Sequence, residues 1–309
     1  MTKKLISIVT PFFNEEAAIE KYFSQLEKTF KKIPQVSYEI IAVDDGSLDA
    51  TFSMLKAIAA KNKNVKIIKL SRNFGKEIAL SAGLDYAFGD AVIPMDADLQ
   101  DAPSAIAGMI EKWQEGYKVV LAQRFNRQDP FFKKITAKIF YKLASKIMDF
   151  ALPSNVGDFR LMDKIVVAEI RKMRERTRFM RGILSWVGYK TTIIKFERPQ
   201  RLSGKTKYNY KSIINYALDG IFSFSTFPIR LITYFGFIIS LCSFAYLIFI
   251  LISKIVFDQG VAGYASLMSV ILFVSGINFI FIGVIGEYVG RIFNEVKQRP
   301  LYIVEELVE

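Results

Sequence analysis

The chain contains no histidine and only one cysteine, Cys242, in 309 residues. Without histidine there is no Ser-His-Asp triad, no imidazole acid–base pair and no His-ligated zinc. Cys242 lies inside an apolar run, which excludes a disulfide and a thiolate metal site as well. A metal, if used, must be held by oxygen ligands, which favours Mg²⁺ or Mn²⁺. A general base must be a carboxylate, a lysine or the substrate itself. No cleavable signal peptide is expected: basic Met1–Lys4 precedes only a short apolar stretch, which ends in Asn14-Glu15-Glu16. Internal repeats and low-complexity tracts are also missing.

Positive charge and apolar surface are present in excess. Forty-two basic residues against 30 acidic ones give a net charge of +12, which suits an anionic partner. The composition is 51% hydrophobic and the mean hydropathy is +0.24, with most of the excess after Phe222. Leu231–Ser253 is free of charge between Arg230 and Lys254; at about 1.5 Å per residue it covers roughly 35 Å, enough for a bilayer core. Gln259–Gly286 is a second uncharged run, with a span expected over 263–286. Lys211 and Arg230 flank the pair on one side, and Arg291, Lys297 and Arg299 on the other. The positive-inside rule then puts both termini in the cytoplasm and the connecting loop outside, which suits a multi-pass protein of an inner or plasma membrane. A membrane face and a phosphorylated ligand fit this charge better than nucleic acid does. Within the second span, Asn278 suits an interhelical hydrogen bond, and Gly286 and Gly290 are spaced for close helix packing.

The first half alternates apolar strands with helices. Strands are expected at Leu5–Pro11, Tyr38–Asp44, Val65–Leu70, Ala91–Asp96 and Lys118–Ala122. Helices are expected near Glu15–Lys31, Asp49–Asn62, Lys76–Phe88 and Ser104–Gly116. This order implies an α/β domain with a mostly parallel sheet covered by helices on both faces. Such sheets bind ligands beyond the carboxyl ends of their strands. The stretch 131–150 differs: Lys134, Lys138, Lys142 and Lys146 recur every fourth residue beside a stripe of Phe132, Ile135, Ile139, Leu143 and Ile147. That pattern is a basic amphipathic helix, suited to a membrane interface or to packing on the protein's own core. Tyr208–Phe227 is a candidate second interfacial element.

Each of the first four strands is followed by polar or acidic residues. They are Pro11 to Glu16, Asp44 to Thr51, Ser71 to Lys76, and Asp96 to Asp101. One acidic strand end is ordinary helix capping; four, two with paired aspartates, point to a site. Asp96, Asp98 and Gln100 alternate, so on an extended segment they offer hard oxygens to one side. The competing reading is a capped loop with solvated aspartates. Asp49 and Thr51 suit the start of a helix, and Gly46, Gly75 and Gly83 suit backbone geometry or packing.

The phrases TPFFNEE, VDDGSLDAT, SRNFGKEIALSAGLDYA and MDADLQDAP resemble family 2 glycosyltransferases with the GT-A fold. GDFRLMD, RFMRGILSWVGYK and RLSGKTKYNYKS, followed by two spans, resemble the polyisoprenyl-phosphate glycosyltransferases, the bactoprenol glucosyltransferases most. The resemblance implies a GT-A (Rossmann-like) domain that moves a sugar, glucose from UDP-glucose, onto undecaprenyl phosphate for cell-envelope glycan modification. N-acetylhexosamines and GDP-mannose stay open as alternatives. It implies Mg²⁺ or Mn²⁺ on Asp96, Asp98 and Gln100, with Asp98 foremost. Pro11, Asn14, Glu15, Asp44, Asp45, Arg72, Lys76, Asp96 and Ala97 would line the donor nucleotide site. Arg124, Arg127, Arg201 and Lys207 would hold the acceptor phosphate, whereas Lys205 suits an interfacial anchor. The catalytic candidates are Asp98, Asp96 and Asp158; Asp158 is read either as a base or as a group that orients Arg160 or sugar hydroxyls. Related enzymes imply a homo-oligomer, a tetramer.

The expected organisation is a cytoplasmic catalytic domain over 1–200, an interfacial linker over 201–228, two spans within 229–290 and a cytoplasmic tail over 291–309. Two other functions fit parts of the pattern. A processive polysaccharide synthase shares the family, but its Gln-x-x-Arg-Trp motif and extra spans are missing. A non-catalytic nucleotide-binding scaffold has no need of the intact acidic strand ends.

Overall fold

A computed structural model describes residues 3–125, 156–197, 222–257 and 263–309. It divides into two units, Met1–Ala217 with Arg299–Glu309, and Leu218–Gln298. The expected helix over 131–150, nearly all of the 201–228 linker, and Arg127, Arg201 and Lys207 lie outside the described residues.

In the first unit the aliphatic runs form the strands of an eight-stranded sheet. They are β1 (Lys4–Phe12), β2 (Val36–Asp44), β3 (Val65–Leu70), β4 (Ala91–Pro94), β5 (Val119–Phe125), β6 (Val156–Asp163), β7 (Thr191–Glu197) and β8 (Val304–Val308), in the order β7-β5-β6-β4-β1-β2-β3-β8. The central strands β3, β2, β1 and β4 are parallel. Ile6, Ile8, Val9, Ile40, Ile41, Ile67 and Ile68 are buried, as expected of strands covered on both faces. Helices α1 (Glu16–Lys31), α2 (Thr51–Ala59), α3 (Lys76–Asp85) and α4 (Ile106–Gln114) follow these strands, and α5 (Lys164–Lys172) and α6 (Met180–Trp186) come later. On α1 the stripe Ile19, Tyr22, Phe23, Leu26 and Phe30 is buried against the sheet core at helical spacing.

Two features of the sheet decide where chemistry can gather. Parallel pairing of β1 with β2 sets Phe12 opposite Asp44, and pairing with β4 sets Val9 opposite Pro94. The loops after β1, β2, β3 and β4 therefore leave from one edge. Strand β6 runs antiparallel to β4, with Asp163 opposite Ala91. Its first residues, Asp158 among them, consequently lie at that same edge, where a parallel strand would have left them at the far one. The sheet is thus mixed, because β6 and β8 reverse direction.

Strand β8 lies in the stretch expected as a tail. It pairs antiparallel with β3, and its carboxylates meet lysines: Glu306 lies 2.6 Å from Lys56 and Glu305 2.9 Å from Lys69. Val304, Glu306 and Val308 share the more buried face, and by pairing with β3 the strand covers an edge that would otherwise be open to foreign strands.

The second unit consists of α7 (Phe227–Phe257) and α8 (Tyr264–Val296). Both contain stretches long and apolar enough to cross a membrane, Phe227–Ile250 and Ser266–Val296. Phe237, Leu241, Phe244, Phe273, Phe279 and Ile280 are each more than half exposed, an apolar surface of the kind that marks contact with a membrane or another protein. A Cβ added at Gly286 or Gly290 would meet no atom within 4 Å, so these glycines make no close helix approach within the described chain.

Candidate active site

The loops after β1 and β2 are stitched together by short polar side chains. Asn14 accepts from the Leu48 amide at 2.9 Å, and its own amide donates to Ser47 Oγ at 3.1 Å. The Glu15 amide donates to Thr51 Oγ1 and the Ala50 amide to Glu16 Oε2. Asp49 accepts from the Thr51 and Glu16 amides, so it supports both helix starts. Asn14 adopts φ +51°, a conformation Asn tolerates better than most residues. Its side-chain oxygen helps to shape the loop.

Asp45 ties the second loop to the third. It is 2% exposed, and its two oxygens accept the Phe74 amide at 2.7 Å and the Gly75 amide at 2.9 Å. Burial raises its pKa, and these two amides pull it part of the way back. Gly46 makes the approach possible: its φ is +68°, and a Cβ there would lie 2.4 Å from the Arg72 carbonyl carbon. Gly46→Ala is expected to cost on the order of 1–3 kcal/mol. A thermal melt of the purified chain checks this, and an unchanged midpoint would contradict it. Asp44 is fully buried at the end of β2; its Oδ1 accepts from the Ser47 amide, while Oδ2 has no hydrogen-bond partner. Burial raises its pKa too. A buried carboxylate oxygen without a donor at a strand's carboxyl end is suited to receive one from a ligand.

Lys76, the first residue of α3, joins the third loop to the fourth and to β6. Its ammonium lies 2.7 Å from Asp96 Oδ1, 2.9 Å from Asp96 Oδ2 and 3.1 Å from Asp158 Oδ2. Arg181 of α6 approaches Asp158 Oδ1 at 3.8 Å, and Arg160 donates to the Gly157 carbonyl beside it. Burial alone would raise the Asp158 pKa, but Lys76, Arg181 and Arg160 outweigh it and hold the carboxyl well below the usual range. Burial likewise opposes the Lys76 charge, and Asp96 and Asp158 outweigh it, so Lys76 is held firmly protonated.

The segment Asp96–Gln100 is not extended, contrary to expectation. Asp98 Oδ1 accepts the Gln100 amide at 3.1 Å, the Asp101 carboxylate accepts the Asp96 amide, and Leu99 takes φ +56°. These local bonds fold the segment into a turn and leave Gln100 buried, so the three oxygens do not line up by alternation. Asp96 and Asp98 remain partly exposed, whereas Ala97 is buried.

The profile of glycosyl transferase family 2 matches residues 7–171, more than half of the chain. The chain belongs to glycosyl transferase family 2. The GtrB C-terminal hairpin matches residues 227–292, the α7–α8 pair. An uncharacterized glycosyltransferase of Synechocystis is 51% identical, over 98% of this chain and 95% of its own. A prophage bactoprenol glucosyl transferase homolog of Escherichia coli is 48% identical, over 98% and 99%. The bactoprenol glucosyl transferase of Shigella phage SfV is 48% identical, over 97% and 98%. Among solved structures, a mannosyltransferase of Pyrobaculum calidifontis is 19% identical with a TM-score of 0.47, covering 65% of this chain and 59% of its own.

In this family 2 glycosyltransferase, Asp44, Asp45, Lys76, Asp96 and Asp158 meet at the shared strand edge. Pro11 is paired with Val43 within the sheet, and exposed Arg72 stacks on Phe74 at 4.0 Å. Arg124 lies in β5, and its side chain falls outside the described residues. Arg181 was not among the expected site residues although the phrase containing it was; its signal is an arginine opening a helix in the same stretch as the acceptor motifs. Among the described residues no group of three or more Asp, Glu or Cys is arranged to hold a metal. Asp96 nevertheless already accepts a cation on both oxygens, and Asp98 follows two residues later. Two carboxylates that leave positions open for phosphate oxygens suit Mg²⁺ or Mn²⁺, so the donor set fits.

Proposed function

We propose that this glycosyltransferase moves one glucose from UDP-glucose to a polyisoprenyl phosphate such as undecaprenyl phosphate, at the cytoplasmic face of a membrane. The observation that carries the reading is the ion-paired group Asp96–Lys76–Asp158, in a chain matched along nearly its whole length by proteins named bactoprenol glucosyl transferases. The two apolar helices would hold the chain where a lipid acceptor resides, with both flanks inside, in line with the arginines and lysines around them.

The reaction is a single displacement. An oxygen of the acceptor phosphate attacks the anomeric carbon, the bond from that carbon to the donor phosphate oxygen breaks, and nucleoside diphosphate leaves with the electron pair. The configuration inverts. A lipid monophosphate with its second pKa near about 6 is largely a dianion at neutral pH, so no side chain has to remove a proton. This agrees with the absence of histidine and with a carboxyl at Asp158 too acidic to serve as a good base. Asp158 instead positions Lys76 and Arg181, whose charges face the anionic groups that meet here. Asp44 receives a donor from the base, and Asp45 supports the loop that presents Lys76. A divalent cation, when bound to Asp96 and Asp98, supplies charge stabilisation for the departing diphosphate.

The test is a panel of sugar nucleotides with purified protein in detergent, undecaprenyl phosphate and Mn²⁺, reading nucleoside diphosphate release. UDP release from UDP-glucose that requires the lipid is expected. Nucleotide binding without release from any donor would overturn the reading.

A further inference from the structure

Lys76 grips two carboxylates to which the reading above gives different partners. Asp96 belongs to the donor diphosphate and its cation, and Asp158 to the cationic group around Arg160 and Arg181. The ammonium sits on both oxygens of Asp96, at 2.7 and 2.9 Å, and on one of Asp158, at 3.1 Å. A divalent cation directed at the same Asp96 oxygens would meet that ammonium at contact distance. Like charges so close are strongly unfavourable, and one of the two must leave. The backbone of Lys76 is not the part that yields. Its predecessor Gly75, at φ +98°, donates its amide to Asp45, which also takes the Phe74 amide. The part that can move is the four-carbon stem, since a lysine carries its three donors on rotatable bonds.

We propose that Lys76 is a built-in counter-ion which the donor's divalent cation displaces from Asp96, so that metal and sugar nucleotide enter together rather than metal first. In the empty site Lys76 closes Asp96. When donor and cation arrive, Lys76 keeps its bond to Asp158 and turns its remaining donors to the diphosphate oxygens, which replace the carboxylate it has lost. The nucleotide thus compensates for opening the ion pair, whereas metal alone does not. Coupling of this kind is reciprocal: Lys76 makes metal binding depend on nucleotide, and nucleotide binding depend on metal. It also ties donor arrival to release of Asp96 from the lysine that holds it to Asp158. The inference rests on the assignment of Asp96 to the donor's metal.

The experiment measures Mn²⁺ binding to the full chain in detergent, without nucleotide, from the electron paramagnetic resonance signal of free Mn²⁺. Lys76→Met is expected to bind Mn²⁺ about tenfold or more tightly than the unaltered chain. Arg72→Met, which removes a nearby charge that does not touch Asp96, is expected to change binding by less than about threefold. Addition of UDP should tighten Mn²⁺ binding strongly in the unaltered chain and much less in Lys76→Met. Equal or weaker Mn²⁺ binding by Lys76→Met, or an equal gain in Arg72→Met, would overturn displacement. Thermal melts accompany each variant, and Lys76→Gln replaces Lys76→Met if the latter does not fold. Because the titration uses no sugar donor, it separates the two ideas. An inactive protein sinks the proposed reaction, and an active one with unaltered metal affinity in Lys76→Met sinks this inference alone.

Discussion

Asp158→Asn is expected to lower kcat by about 10²-fold or more while moving the donor KM far less. The asparagine keeps the shape but withdraws the charge that Lys76 and Arg181 face. Lys76 then keeps its ion pair with Asp96 and loses the one with Asp158, and Arg181 loses its approach to that carboxylate. The accompanying pH profile separates positioning from base catalysis. A base would titrate near the working pH and impose an acid limb of its own. The folded-state pKa of Asp158 is depressed, so its ion pairs are fully present above the unfolded carboxylate value of about 3.9. They are lost only as pH falls through the still lower folded value, outside the range in which turnover is measured. The acid limb of the unaltered enzyme should therefore follow the acceptor, moving when an acceptor of different phosphate pKa is supplied. A limb that stays in place with every acceptor and disappears in Asp158→Asn would restore the base.

Asp98→Ala should be the other large loss. If Asp98 holds the divalent cation with Asp96, its removal withdraws charge stabilisation from the leaving diphosphate worth several kcal/mol, on the order of 10³-fold in rate. The substitution also removes the acceptor of the Gln100 amide, so the loop 96–101 loses one of the bonds that shape it. Asp98→Asn preserves that bond and separates the two effects. Activity retained in Asp98→Asn but lost in Asp98→Ala would mark a loop-shaping residue. Activity lost in both, with weakened Mn²⁺ binding in the presence of UDP, is the expected result. Full turnover by Asp98→Ala with Mg²⁺ or Mn²⁺ would remove the metal from this position.

The first half of the catalytic unit was legible because its strands contain continuous aliphatic runs, such as Ile40–Val43, whose burial on both faces needs no knowledge of partners. The two apolar helices were legible from uncharged runs long enough to cross a bilayer. Strand β8 was not: VEELV reads as an acidic tail, and it becomes a strand only because Lys56 and Lys69 and the open edge of β3 await it. The reversal of β6 was hidden as well, since direction within a sheet is a long-range property. That reversal brings Asp158 to the edge where Asp96 lies. Composition and strand ends marked Asp44, Asp45, Asp96 and Asp98, but alternation misjudged the last two. Local side-chain bonds from Asp98 and Asp101 override the extended geometry that alternation assumes. Asp45 shows another limit. A carboxylate at a strand end looks the same in sequence whether it meets a ligand or two backbone amides, and here it accepts the amides of Phe74 and Gly75.

The most direct measurement of the central claim is the lipid product itself. Purified protein with undecaprenyl phosphate, Mn²⁺ and radiolabelled UDP-glucose should yield one chloroform-soluble product carrying a single sugar, with inverted configuration at the anomeric carbon. Label that stays in the aqueous phase with every donor, or that grows into a polymer, would contradict it.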